Sequence, residues 1–132
     1  MFPPILNDLR AARQQSTASW FEGTVHELEI YDPGEGGAGS MMWAVWFEAG
    51  SRALPHVHHF DQTLHVVEGE GILATAEERR PLRLGDWVTI PAGVWHWHGA
   101  TTESGLCHVT IQPKGTSDWD VDRKDYDEGY RA

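Results

Sequence analysis

HVHHFDQ, residues 56–62, places three histidines and a glutamine within seven positions. Side chains on a β-strand alternate between its two faces, so residues an even number apart share one face. His56, His58 and Gln62 therefore fall on one side of such a strand and His59 on the other. Leu64 and Val66 continue the first side, whereas His65 joins His59. If the first side faces a barrel interior, two imidazoles and an amide converge there.

Further along the chain the same rule gathers more imidazoles. In PAGVWHWHGA, residues 91–100, His96 and His98 share a face and Trp95 and Trp97 take the opposite one. In LCHVTIQ, residues 106–112, His108, Thr110 and Gln112 align. Seven of the eight histidines lie between positions 56 and 108, a clustering that signals a metal or proton-transfer site. Single residues are ambiguous. His108 alone reads equally well as a hydrogen-bonded core histidine, and His98 equally well as a neighbour of the ligands or a substrate-facing group. The pair His56-x-His58 points to a metal only together with its surroundings.

Those surroundings read as strands. From Thr24 onward Leu28 and Ile30 alternate with Glu27 and Glu29, and MMWAVWFE (41–48) is rich in strand formers. Turn signals recur at 32–40, Gly50, GEG (69–71), Gly85-Asp86 and PAG (91–93), bounding runs of about five to eight residues. Short strands with glycine-rich turns imply an antiparallel sandwich or barrel. Ahead of them, Ile5, Leu6, Leu9 and Ala12 follow Pro3 and Pro4 at helical spacing, which predicts a short amphipathic helix. The final segment is charged but carries Trp119, Tyr126 and Tyr130, aromatics that favour docking on the barrel or on a partner subunit. The expected division is an N-terminal helical or extended segment over 1–18, a barrel over 19–115 and a packed tail over 116–132.

Composition narrows the function. A chain of 132 residues suits one domain. With 20 acidic against 10 basic residues, a net charge of −10 repels phosphate backbones and anionic surfaces, so neither nucleic acid nor membrane is the expected partner. The lone Cys107 leaves no internal disulfide and no thiolate-rich zinc cluster. With no leader-like or membrane-spanning run in the sequence, a cytoplasmic location is the expectation. The tryptophans suit a barrel core or an interface between copies better than sugar stacking.

Two spaced patterns carry a resemblance. Gly50-x5-His56-x-His58-x3-Gln62-x6-Gly69 resembles the first cupin motif, with glutamine where glutamate is commoner. Gly85-x5-Pro91-x-Gly93-x2-His96-x3-Ala100 resembles the second, with alanine in place of asparagine. WFEGTV (20–25), HWHGA (96–100), His108, Ile111-Gln112, Asp118-Trp119 and Asp125-x4-Tyr130 are similar to one subgroup. These are small single-domain cupins that include bacterial manganese-dependent hydroxynitrile lyases and carboxymuconolactone-decarboxylase-associated cupins. The resemblance implies an all-β, cupin-type double-stranded β-helix, a jelly-roll barrel preceded by the short helical segment. It implies His56, His58, Gln62 and His96 as metal ligands, with His108, His98 and Gln112 as catalytic residues. Trp43, Val45 and Leu64 would line the substrate pocket. A homodimer or higher homo-oligomer is implied as well. Where the subgroup commonly has proline and glycine in the ligand loop this chain has His59 and Asp61, and it has bulky Trp43 near a position that is usually small.

Imidazole nitrogen and an amide oxygen are neutral donors, so a divalent ion held by them keeps its whole charge and acts as a strong Lewis acid. Mn(II) or Fe(II) is the expected ion, with Ni(II) and Zn(II) as alternatives. Three classes of function stay open at this point: a metal-dependent lyase or isomerase acting on a small oxygenated molecule such as a cyanohydrin, a dioxygenase using Fe(II) or Mn(II) with O2, and a non-catalytic binding module for a small ligand.

Overall fold

The computed structural model describes residues 5–130. One helical turn, α1 (Leu9–Ala12), precedes twelve strands. These are β1 (Gln14–Gln15), β2 (Phe21–Glu22), β3 (Val25–Tyr31), β4 (Met41–Phe47), β5 (Arg52–Ala53) and β6 (Val57–His58), followed by β7 (Gln62–Thr75), β8 (Arg79–Arg83), β9 (Trp87–Ile90), β10 (His96–Ala100), β11 (Leu106–Gln112) and β12 (Ser117–Asp118).

Ten strands form one curled antiparallel sheet in the order β1-β3-β4-β11-β7-β10-β5-β2, with β8 and β9 also paired to β7. β7 is the spine. Its first half pairs with β11 and β9 and its second half with β10 and β8, so the two halves of the sheet wrap one interior. GEG (69–71) is therefore not a turn between short strands, as the sequence suggested, but a bend inside a strand of 14 residues. Gly69 takes φ +71°, and a Cβ there would meet the Gly105 carbonyl oxygen at 1.9 Å. A turn residue is needed for the bend, while the backbone hydrogen bonds continue through it.

The closed end of the barrel is apolar, with Val25, Val45, Phe47, Leu64, Val66, Leu73, Leu82 and Leu106 buried together. The sheet is also covered outside. Ala44, Trp46 and Cys107 form a second buried cluster against Leu9, Leu28 and Ile30. This inverts the simplest reading of β3, because its apolar Leu28 and Ile30 face the outer layer while Val25 and Glu27 face inward. Alternation gave the right period, but it cannot tell which face is inner when both are covered.

The helix expected from Ile5 onward is shorter, with Asp8 capping it by accepting a hydrogen bond from the Ala11 amide at 3.1 Å. Ile5 and Leu6 are 83% and 53% exposed, with no apolar surface to stabilise an earlier turn; Pro3 and Pro4 lie outside the described residues. No helix among the described residues is long and apolar enough to cross a membrane.

The tail folds back onto the barrel. Tyr126 and Tyr130 are buried against Trp97 and Ala74, and their hydroxyls donate to the carbonyls of Ala53 (3.2 Å) and Ala100 (2.7 Å). Between the rings lies Arg52, 0% exposed. Its guanidinium sits 3.5 Å from the Tyr126 ring centre and 4.1 Å from that of Tyr130. It donates to Glu22, to Asp127 and to the Tyr126 carbonyl. β12, in the tail, pairs with β6, which brings the tail to the mouth of the barrel.

Candidate metal centre

His56 and His96 face each other through a pair of backbone hydrogen bonds of 2.9 and 3.1 Å, and β6 carries His58 onto the same inner face. The three rings are close, with centroids 4.3 Å apart for His56–His96, 4.6 Å for His56–His58 and 4.9 Å for His58–His96. One nitrogen from each lies within 4.8 Å of the others.

The remaining nitrogens are occupied. Nδ1 of His56 is 2.7 Å from the Leu54 carbonyl and Nδ1 of His96 is 2.9 Å from the Val94 carbonyl. A carbonyl only accepts, so both Nδ1 atoms carry the proton and both Nε2 lone pairs are free. His58 Nδ1 meets the Ser117 hydroxyl at 2.7 Å. Nε2 of His58, Nε2 of His96 and Oε1 of Gln62 are buried without a hydrogen-bond partner. Buried polar atoms are rarely left so, and three lone-pair donors orphaned beside one another fit a cation.

Electrostatics agree. Burial holds His56 well below the usual histidine range, with neighbouring His96 adding to the effect. Burial lowers His96 to about 4 and lowers His58 as well, against a nearby Gln62 amide that opposes the shift. All three are neutral at neutral pH, the form that ligates a metal without first losing a proton.

The triad borders a cavity of about 340 Å³, whose wall includes His56, His58 and Gln62. Gln62 Nε2 donates to Gln112 Oε1 at 2.7 Å, which turns Oε1 of Gln62 away from Gln112. Next to the triad, with the His98 ring 5.7 Å from that of His56 and 5.8 Å from that of His96, His108 Nε2 lies 3.1 Å from His98 Nδ1, and His108 Nδ1 lies 3.1 Å from the Thr110 hydroxyl. Burial lowers His108 to about 4 and, with His108 beside it, holds His98 well below its usual range.

Comparison with known proteins places this arrangement. The cupin domain family matches residues 44–112, and an (R)-mandelonitrile lyase from Granulicella tundricola is 34% identical over 110 residues, covering 78% of this chain and 79% of that protein. The chain belongs to the cupin family. An uncharacterized protein from Aquifex aeolicus is 31% identical over 93 residues, 70% of this cupin and 74% of its own length. Among solved structures, a cupin-like protein from Thermotoga maritima superimposes with a TM-score of 0.79 at 29% identity, covering 89% of this chain and 93% of its own. A polyketide cyclase from Streptomyces resistomycificus, at 13% identity, shares the fold with a TM-score of 0.76 over 96% and 92% of the two chains.

Within this cupin, Trp43, Val45, His98, His108 and Gln112 all reach the cavity wall. Leu64 does not line it. It points inward as parity requires, but it is 0% exposed and packed among the apolar residues of the closed end. Parity fixes a face and says nothing of depth along the barrel. His59 is exposed and His65 stacks outside on Trp87 at 3.8 Å. Cys107 lies in the outer cluster, its thiol pushed up to about 12 by burial, so it is neither a ligand nor a nucleophile at neutral pH. Trp20, Glu27, Ser117 and Trp119 also line the cavity. Glu27 was hidden by the apolar alternation of β3, and Ser117 and Trp119 by lying in the tail, far in sequence from the histidines.

Proposed function

We propose that this cupin is a divalent-metal-dependent lyase acting on a small oxygenated molecule, and that its reaction is the reversible cleavage of an aromatic cyanohydrin to an aldehyde and hydrogen cyanide. The observation that carries the reading is two groups side by side in one cavity: three neutral imidazoles with an orphaned amide oxygen, and next to them a neutral His98–His108 pair. The 34% identity to an (R)-mandelonitrile lyase supports the choice of reaction.

A divalent ion held by His56, His58, His96 and Gln62, with Mn(II) or Fe(II) the favoured ions, would supply Lewis acidity toward the substrate oxygen. The chain's own residues supply the rest. Because burial holds His108 and His98 neutral, the pair begins as a base. It takes the hydroxyl proton as the bond to cyanide carbon breaks and the bonding electrons leave with cyanide. The resulting imidazolium then protonates cyanide, which leaves as HCN and restores the neutral pair. Thr110, at His108 Nδ1, fixes the ring's orientation. Gln112, anchored by Gln62, offers its amide N–H to the substrate oxygen. Trp43 and Val45 limit the size of the group carried next to that oxygen.

The test begins with elemental analysis of protein purified without chelator. Cyanide release from (R)- and (S)-mandelonitrile is then followed after chelation and after reloading with Mn(II), Fe(II), Ni(II) or Zn(II). Metal-restored release of cyanide without oxygen uptake is the expected result. Absence of binding by all four ions, or absence of cyanide release from every loaded form, would overturn the proposal.

A further inference from the structure

The chemistry proposed for the histidines makes no use of Glu27, which lines the same cavity. Glu27 lies on the inner face of β3, level with Val45 of β4 and His108 of β11 in the strand register. It is the one carboxyl side chain of the cavity wall, which contains no lysine or arginine. Its side chain makes no hydrogen bond or ion pair among the described residues. Glu27 is half-buried, and indoles share its surroundings. Trp20 and Trp43 line the cavity beside it and also line an adjoining groove of about 610 Å³ that again includes Glu27. Trp119, stacked on Trp20 at 5.6 Å and 20°, closes the cavity from the tail.

Indole faces attract cations through the ring quadrupole, and a carboxylate among them adds a direct charge. No lysine or arginine lines the cavity to compete for Glu27, and the net charge of −10 favours the approach of cations over anions.

We propose that Glu27, Trp20 and Trp43 form a recognition subsite for an organic ammonium group, with Trp119 bordering it from the tail. Within the lyase reading this narrows the natural substrate to a cyanohydrin that also carries an ammonium group, with its hydroxyl at the histidines and its ammonium at Glu27. The inference rests on the cavity being the substrate site of the lyase reading, but not on the reaction. Two strand spacings separate Glu27 on β3 from His108 on β11, about 10 Å at the backbone, and both side chains line the one cavity.

The experiment uses chelator-treated full-length protein, so that neither metal nor turnover enters the reading. Benzyltrimethylammonium, benzylammonium, benzyl alcohol and benzoate are titrated by NMR, with the tryptophan indole N–H signals as reporters. The expected result is binding of both cations at least 10-fold tighter than the alcohol, with benzoate weakest, and loss of that preference to within 2-fold in Glu27→Gln. Equal affinity for benzylammonium and benzyl alcohol in the unaltered protein overturns the proposal whatever the variant does. A cation preference that survives in a folded Glu27→Gln overturns it as well. Failure of cyanide release in the lyase assay would leave this titration unaffected, so the two readings fail separately.

Discussion

The indole of Trp119 stacks on the imidazole of His56, ring centroids 4.0 Å apart and planes inclined by 24°. Two residues earlier in the tail, Ser117 holds His58 Nδ1 at 2.7 Å. The tail therefore orients two of the three clustered imidazoles although it contributes no lone pair to the centre. Groups that orient ligands commonly change metal affinity by 10- to 100-fold. Ser117→Ala and Trp119→Ala should each weaken Mn(II) binding about 10-fold, measured by chelator competition, whereas His58→Ala should remove it. Unchanged affinity in both tail variants would show that the imidazoles are held by the barrel alone.

Arg52 links that tail to the fold. It is buried among three aromatic rings and joined to Glu22 and Asp127, so truncation removes packing, ring contacts and hydrogen bonds together. Its two carboxylate partners are partly exposed and regain water, which places the loss at the lower end of the range for breaking a buried pair, about 3 kcal/mol. Arg52→Ala should lower the thermal midpoint and make the segment after residue 116 sensitive to protease. It should also weaken metal binding, because Ser117 and Trp119 leave with the tail. Protease resistance equal to the unaltered protein would mean that Tyr126 and Tyr130 suffice to dock the segment.

His108 tests whether the proposed proton transfer is separate from metal binding. Its ring is 0% exposed and engages His98 and Thr110, while the clustered lone pairs belong to His56, His58 and His96. His108→Ala should lower kcat for cyanide release by about 10²- to 10⁴-fold, the usual worth of a positioned acid or base. Metal content by elemental analysis should stay unchanged. Loss of metal in that variant would move His108 from proton transfer to metal retention.

The sequence made the centre more legible than its frame. Strand parity put His56 and His58 on one face but joined Gln62 to them only by assuming one continuous strand, whereas the chain bends at 59–61 and Gln62 opens β7; the glycine, proline and histidine spacings of residues 50–100 named the barrel. What escaped it has identifiable causes. GEG at 69–71 read as a turn because glycine signals positive φ, and a bend within β7 requires the same residue. Alternation along β3 left open which face is inner; Leu28 and Ile30 are covered by Leu9 of the N-terminal segment, while Glu27 lines the cavity. Leu64 shares a face with Gln62 but lies at another depth. Ser117 and Trp119 reach the site through tertiary folding of the tail, which no local periodicity encodes.

The buried imidazoles also set the acid limit of the fold. Burial takes His108 from 6.5 to about 4 and moves His98 in the same direction. Between the two values the unfolded chain binds a proton at each site that the folded chain does not. Stability is therefore complete above about pH 6.5 and is lost as pH falls toward 4. For His108 alone the loss amounts to about 3 kcal/mol across that window. Ordinary carboxylates titrate mainly below about pH 5, so the interval from 6.5 to 5 reports the histidines. Urea unfolding of chelator-treated protein should show stability falling in that interval with an uptake of more than one proton, and His108→Gln should reduce the slope. Adding Mn(II) should displace the fall to lower pH, because His56, His58 and His96 must then give up the metal before they can be protonated. Stability that stays level from pH 6.5 to 5 would mean that the buried imidazoles are hydrated in the folded protein, and the barrel interior would have to be redrawn accordingly.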